Sequence, residues 1–119
     1  MRDIFINARK WLADPKHWVQ GELCVYDDVN NPDLRKVSCT CLMGALDRAS
    51  SIKANDALIW ADYDVLAFLR KFIPNTGDGN DIAGFNDDTN TTHADVLAVL
   101  DRAIAACPLT EVENPVAHH

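Results

Sequence analysis

Three prolines divide this chain into pieces whose length and apolar spacing leave little choice of fold. Pro15, Pro74 and Pro108 each follow a run in which apolar residues recur at intervals of three and four, the spacing that places them on one helical face. Before Pro15 the run is Ile4, Phe5, Ala8, Trp11 and Leu12; before Pro74 it is Val65, Leu66, Leu69, Phe72 and Ile73. Before Pro108 it is Val96, Leu97, Leu100, Ala103, Ile104 and Cys107. Proline lacks an amide donor and disfavours helical geometry in the residue ahead of it, so each helix is expected to stop there. Two of the three also carry start signals: Asp62 as an N-cap, and Thr92-x-x-Asp95 as a capping box.

Between the first and second prolines the pattern changes. Residues 22–26, with Val25 and Tyr26, favour an extended strand, and the polar run 27–33 is dense in turn formers. Residues 34–40 can return as a second strand, giving a hairpin with a long loop, which must lie on helices to persist because two strands alone are marginal. Thr40 then reads as the N-cap of a helix from near Cys41 through about Ser51, with Leu42, Ala45, Leu46 and Ala49 facing inward and Gly44 and Ala45 allowing close packing. Residues 50–55 read as a polar loop, 57–60 as a short buried turn, and 74–81 as a surface loop, after which Ile82, Ala83 and Phe85 bring the chain back to the core.

The expected fold class is therefore mainly α with a small β-hairpin (α+β), about four helices around one core with the hairpin inserted between helices one and two. Residues 1–108 form one globular domain in this reading, and 109–119 a C-terminal tail whose closing His118-His119 pair reads as tag residues outside any site. A length of 119 residues suffices for one core without metals or disulfides, and 48% hydrophobic with 24% charged residues is a globular composition. The similar stretches 64–70 and 95–101 are two like amphipathic helices rather than a repeat architecture, which needs three or more units.

A formal net charge of −7 repels a phosphate backbone, so nucleic-acid binding is not expected. The carboxylates are scattered rather than massed, which argues against DNA mimicry as well. No apolar run reaches the ~20 residues that cross a bilayer, and Met1-Arg2-Asp3 opens no signal-peptide pattern, so the expectation is a cytoplasmic protein with no membrane association.

Chemistry could reside at Cys41. In the first turn of a helix, unpaired amides and the helix dipole favour a thiolate, and His17 or His93 could act as base with Asn86 or Asp87 orienting it. None of these residues stands at a diagnostic spacing, and cysteine is among the most buried residue types, so packing as a core thiol is favoured. Cys39-x-Cys41 with Cys24 and His17 lacks the ligand gaps of structural zinc sites, and the Asn and Asp cluster from Asp78 to Asp88 lacks the register of a calcium loop. No metal and no cofactor is expected, and disulfides are disfavoured without a secretion signal. Trp11, Trp18 and Trp60 read as core anchors, with Trp18 beside Gln20 able to line a pocket.

The succession Trp18-x-Gln20-Gly21, Cys41-x-x-Gly44-Ala45-Leu46 and Phe85-Asn86-Asp87, followed by Val96-Leu97 and Ala103, resembles a family of short uncharacterised proteins of actinobacteria and their phages. The chain departs from that pattern in a longer hairpin loop, an extra Cys39, and Phe85 where tryptophan is common. The resemblance implies no activity. It does suggest that Trp18, Gln20, Cys41, Asn86 and Asp87 share a site, where a buried structural network is the simpler role. Three functions follow as expectations: a small accessory or regulatory module that binds a protein partner, acting on a host factor if phage-encoded; a cysteine-dependent enzyme using Cys41; or a structural homo-oligomer subunit. The first is preferred, and with it a non-enzyme, because no convincing catalytic set emerges.

Overall fold

The first apolar stripe forms the helix α1 (Arg2–Leu12), which buries Ile4, Phe5, Ala8 and Leu12. The structure is a computed structural model and describes residues 1–74 and 81–108. The expected tail at 109–119 and most of the expected loop at 74–81 lie outside the described residues. A 3₁₀ turn, Pro15–His17, follows α1, with Asp14 as its N-cap accepting from the Lys16 amide.

The hairpin consists of β1 (Cys24–Tyr26) and β2 (Val37–Thr40), antiparallel, with Cys24 opposite Thr40 and Val25 opposite Cys39. Both strands are shorter than the apolar runs suggest, and a bulge between Val25 and Tyr26 interrupts their ladder. The pairing nevertheless extends past the strands, through Cys41 N to Leu23 O at one end and Asp27 N to Lys36 O at the other. The second edge of β2 is covered by Trp18 and Val19, whose amide donates to the Thr40 carbonyl at 3.0 Å.

Four further helices follow: α2 (Leu42–Ala54), α3 (Tyr63–Arg70), α4 (Ile82–Asp87) and α5 (His93–Ala106). The described residues thus hold five α-helices rather than about four, the addition being the short α4, whose N-cap Asp81 accepts from the Gly84 amide. The α+β class with the hairpin between α1 and α2 is as the sequence indicates. Thr92 and Asp95 form the reciprocal capping box at the start of α5.

The N-cap of α2 is Cys41 and not Thr40: its Sγ accepts from the Gly44 amide at 3.3 Å. Thr40 is the buried last residue of β2, and its hydroxyl is already engaged by the Trp11 indole N–H at 3.0 Å. The helix also runs past Ser51 to Ala54, so the expected polar loop is mostly helical; Asn55 then closes it in left-handed geometry, which asparagine tolerates.

Helix α1 lies at the centre, against α2 on one side and α5 on the other, while α3 and α4 close the remaining faces. One apolar cluster joins Phe5, Leu12, Leu42, Leu46, Leu69 and Leu100 with their neighbours. The close approach at Gly44 is between α2 and the residue preceding β1: a Cβ there would collide with the Leu23 carbonyl oxygen and crowd the Thr40 side chain. Trp11 and Trp18 pack against the core, but Trp60 does not anchor it, being 58% exposed.

Candidate functional site

Asn86 is fully buried near the end of α4, and four groups converge on its carboxamide. Its Oδ1 accepts from the Trp18 indole N–H at 2.7 Å and from the Leu42 amide at 3.0 Å. Its Nδ2 donates to the Val19 carbonyl at 3.1 Å and to Asp87 Oδ1 at 2.9 Å. That is the full capacity of a primary amide, two acceptor and two donor directions. Gln20 completes the fastening by donating Nε2 to the carbonyls of Asn86 and Asp88, and Asp87 Oδ1 accepts from the Gly21 amide. The segment leading into the hairpin is thereby tied to α4 and to the first amide of α2. Asn86 and Asp87 do not cap α5, a role filled by Thr92.

Of the five residues the family resemblance groups together, Trp18, Gln20, Asn86 and Asp87 are joined in this network. Cys41 is adjacent in sequence to Leu42, but its thiol bonds within its own helix turn. Cys41 and Asp87 line a cavity of about 210 Å³ together with Gly21, Glu22, Leu23 and Met43; Trp18, Gln20 and Asn86 are not among its lining residues. Burial pushes the Cys41 thiol above its ordinary pKa; the amides of Gly44 and Met43 pull it down, and the carboxylates of Asp87 and Asp47 push it up again. The helix N-terminus therefore does not offset desolvation at this thiol.

Both histidines serve the end of α1. A ring nitrogen bonded to a carbonyl must carry the proton, so His17 donates Nδ1–H to the Trp11 carbonyl at 2.8 Å, and His93 donates Nε2–H to the Leu12 carbonyl at 2.6 Å. These are two of the carbonyls a helix leaves without an internal donor at its C-terminus. His17 also stacks on Trp11 with centroids 3.7 Å apart, and the Arg48 guanidinium lies 3.8 Å from the centre of the same ring. Neither histidine hydrogen-bonds Cys41.

A second polar arrangement lies on α2. Ser51, fully buried, both donates its hydroxyl to the Ile59 carbonyl and accepts from the Ile59 amide, at 3.1 and 2.8 Å. One turn earlier Asp47, 4% exposed, accepts from the Ala61 amide at 2.7 Å. The Leu34 amide holds the Ala57 carbonyl at 2.7 Å. Burial raises the Asp47 carboxyl to about 6, with the Ala61 amide working in the opposite direction. The odd-numbered residues of segment 57–61 are thus bound to the body of the protein, Ala57 and Ile59 half-buried and Ala61 buried. Leu58 and Trp60 point outward, 40% and 58% exposed, followed by Tyr63 at 75%. The expected buried turn at 57–60 is instead a strap with an exposed apolar face.

Beside this strap is a cavity of about 510 Å³, with Met1, Ile4, Ala54, Ile59 and Val65 contributing apolar lining and Trp60, Asp62 and Asp64 also bordering it. Lys53 borders it too, its ammonium paired with Asp3 at 2.9 Å.

Among the described residues no group of three or more His, Cys, Asp or Glu side chains could hold a metal ion, and no helix is long and apolar enough to cross a membrane. Asp81 and Asp88, from the Asn and Asp cluster, accept backbone amides as turn and cap residues.

The pattern of the family of unknown function DUF6197 matches residues 1–106. The chain belongs to this family. The matched span includes the Asn86 network, both histidines, Cys41 and the strap. No curated protein and no solved structure is significantly similar to the chain.

In the sequence, 57–60 and Trp60 read as buried core and not as a surface for function. A signal for the strap was present in Asp47 and Ser51, two polar residues one turn apart on the otherwise apolar inward face of α2, a position that calls for a buried hydrogen-bond partner.

Proposed function

We propose that the protein is a small protein-binding module. The observation that carries this reading is the run of exposed side chains Leu58 and Trp60, on a strap fixed to the body by hydrogen bonds to Ser51 and Asp47, and Tyr63 at the start of α3. Aromatic residues held outward in a set geometry lose little conformational freedom on binding and are enriched where proteins meet. The formal charge of −7 favours a protein partner with basic groups over a nucleic acid. A cytoplasmic setting, and a host factor as the partner of a phage-borne member, extend the reading through the resemblance of the Trp18, Cys41 and Phe85-Asn86-Asp87 motifs to actinobacterial and phage proteins.

The alternative of a Cys41 enzyme with His17 or His93 as base draws support from the cavity beside Cys41 and Asp87. It is the weaker reading, because the thiol is buried and its pKa is raised. A homo-oligomer subunit would use the same exposed side chains against a second copy. Affinity capture with the full chain, followed by reconstitution of any retained protein from purified components, tests the module. A defined stoichiometric complex is the expected result, and repeated capture of no specific protein removes the reading. Light scattering of the isolated chain separates out the homo-oligomer.

A further inference from the structure

The geometry points to the strap at 57–61 and the adjoining 510 Å³ cavity as a docking site for an extended peptide segment of a partner protein, one in which an apolar side chain is flanked by arginine or lysine. This rests on the reading of the chain as a protein-binding module and names the face and the partner's chemistry.

Three independent features select that occupant. The first is backbone chemistry. Along the strap, the Ala57 carbonyl, both Ile59 groups and the Ala61 amide are bonded to the body. Among the described residues, the amide and carbonyl groups of Leu58 and Trp60, which alternate with them, have no hydrogen-bond partner. A segment whose alternate residues are bound on one side and free on the other has one open pairing edge, and an extended peptide satisfies such an edge with its own main chain.

The second is shape. The cavity beside the strap has apolar lining from Ile4, Ala54, Ile59 and Val65 with polar groups at Ser50, Lys53 and Asp64, and its volume accommodates a large apolar side chain with room to spare. A peptide laid along the strap places alternate side chains on the same face, so one can enter the cavity while its neighbours face the rim.

The third is charge. Asp62 and Asp64 are exposed around the strap, as is Asp56, which has the Arg35 guanidinium near it, while at the cavity the Lys53 ammonium and the N-terminal ammonium of Met1 both pair with Asp3. The rings of Trp60 and Tyr63 are exposed, and Asp62 and Asp64 are their neighbours in the chain. A guanidinium or ammonium group is attracted by both kinds of neighbour, whereas an acidic peptide is repelled by the rim.

The test uses a display library of random twelve-residue peptides panned against the full chain, with selected peptides synthesised and titrated by fluorescence anisotropy. The expected result is enrichment of peptides carrying Arg or Lys next to an apolar residue. Their affinity should fall at least tenfold with Trp60→Ala, at least threefold with the Asp62→Asn, Asp64→Asn pair, and further with added salt. N-methylation of alternate peptide amides should abolish binding in one register and leave it in the other. Enrichment of acidic or neutral peptides, equal binding by the Trp60→Ala variant, or indifference to N-methylation in both registers overturns the proposal. So does a wild-type dimer dissociated by Trp60→Ala, which would assign the face to a second copy. A stoichiometric complex captured in cells but unaffected by Trp60→Ala would overturn this docking site and leave the protein-binding module standing.

Discussion

The indole N–H of Trp18 donates to Oδ1 of Asn86 at 2.7 Å, joining residues 68 positions apart in the chain. The same oxygen accepts from Leu42, and the same carboxamide donates to Val19 and Asp87, so one side chain fastens the approach to the hairpin, α4 and the N-terminus of α2. A buried amide with every direction used is a fixed point of the fold.

Asn86→Ala leaves the Trp18 indole, the Leu42 amide and the Val19 carbonyl without this partner. A loss of about 2–4 kcal/mol in urea unfolding is expected, since each buried group left unsatisfied costs ~1–3 kcal/mol and the site can admit some water. Trp18→Phe removes one donor and should cost less. The two together should be less than additive, with a coupling of ~0.5–2 kcal/mol from a double-mutant cycle.

Gly44→Ala tests the approach of α2 to the chain ahead of β1. On an exposed helix this exchange stabilises, but here the added methyl meets the Leu23 carbonyl oxygen, which is itself bonded to the Cys41 amide. Destabilisation of about 1–3 kcal/mol is expected from overpacking. An unchanged or raised melting temperature would refute the close approach.

Asp47 gives the fold a pH dependence of identifiable sign. Its carboxyl sits near 6 in the folded chain against an ordinary 3.8, so between those values the folded state binds more protons than the unfolded. Its contribution to stability is complete below 3.8 and is lost as pH rises through 6, by up to about 3 kcal/mol. Asp47→Asn keeps an oxygen for the Ala61 amide without the charge. The variant should be more stable than the wild type at pH 7.5, by about 1–3 kcal/mol, and should lose this component of the slope between pH 4 and 6 in unfolding curves taken across pH.

Cys41 should be slow to react. It is 6% exposed and its thiol is raised by burial, while Cys24 and Cys39 are partly exposed with thiols raised by the same cause. Labelling of the folded protein with an aromatic disulfide, followed by peptide mapping, should modify Cys24 and Cys39 before Cys41. Rapid Cys41 labelling at neutral pH would instead revive the enzyme reading.

Trp60→Ala should leave stability within about 0.5 kcal/mol, because the ring is largely exposed and the strap is held by Ile59 and Ala61 rather than by its side chain. Thermal unfolding followed by far-ultraviolet circular dichroism checks this. A larger loss would mean that the ring packs as a structural anchor.

The helices were legible in the sequence because their cause is local. A stripe at intervals of three and four encodes α1, α3 and α5, and the capping box at Thr92 is read within one turn, but α3 ends at Arg70, ahead of Phe72, Ile73 and the expected stop at Pro74. The N-terminus of α2 was misplaced by one residue for a non-local reason: Thr40 is the better cap by propensity, but Trp11 claims its hydroxyl and the sheet claims its backbone. α4 is only six residues long, too short for periodicity to announce it.

The candidate site divides in the same way. Motif resemblance drew Trp18, Gln20, Asn86 and Asp87 together, and they do meet, yet nothing in their order says that Asn86 is the hub or that both histidines close the end of α1. The exposed strap was hidden altogether, because 57–60 is apolar and an apolar stretch reads as buried until its surroundings are known.

By itself, then, the sequence determined the helical stripes, the hairpin between α1 and α2, and the need for close packing at Gly44. These follow from backbone geometry and apolar spacing over a few residues. Only the tertiary structure decided which buried donor meets which acceptor, and that Trp60 faces outward. Those outcomes depend on competition among groups far apart in the chain: Asp47 and Ser51 bind alternate backbone groups of the strap, and that choice turns Leu58 and Trp60 toward solvent.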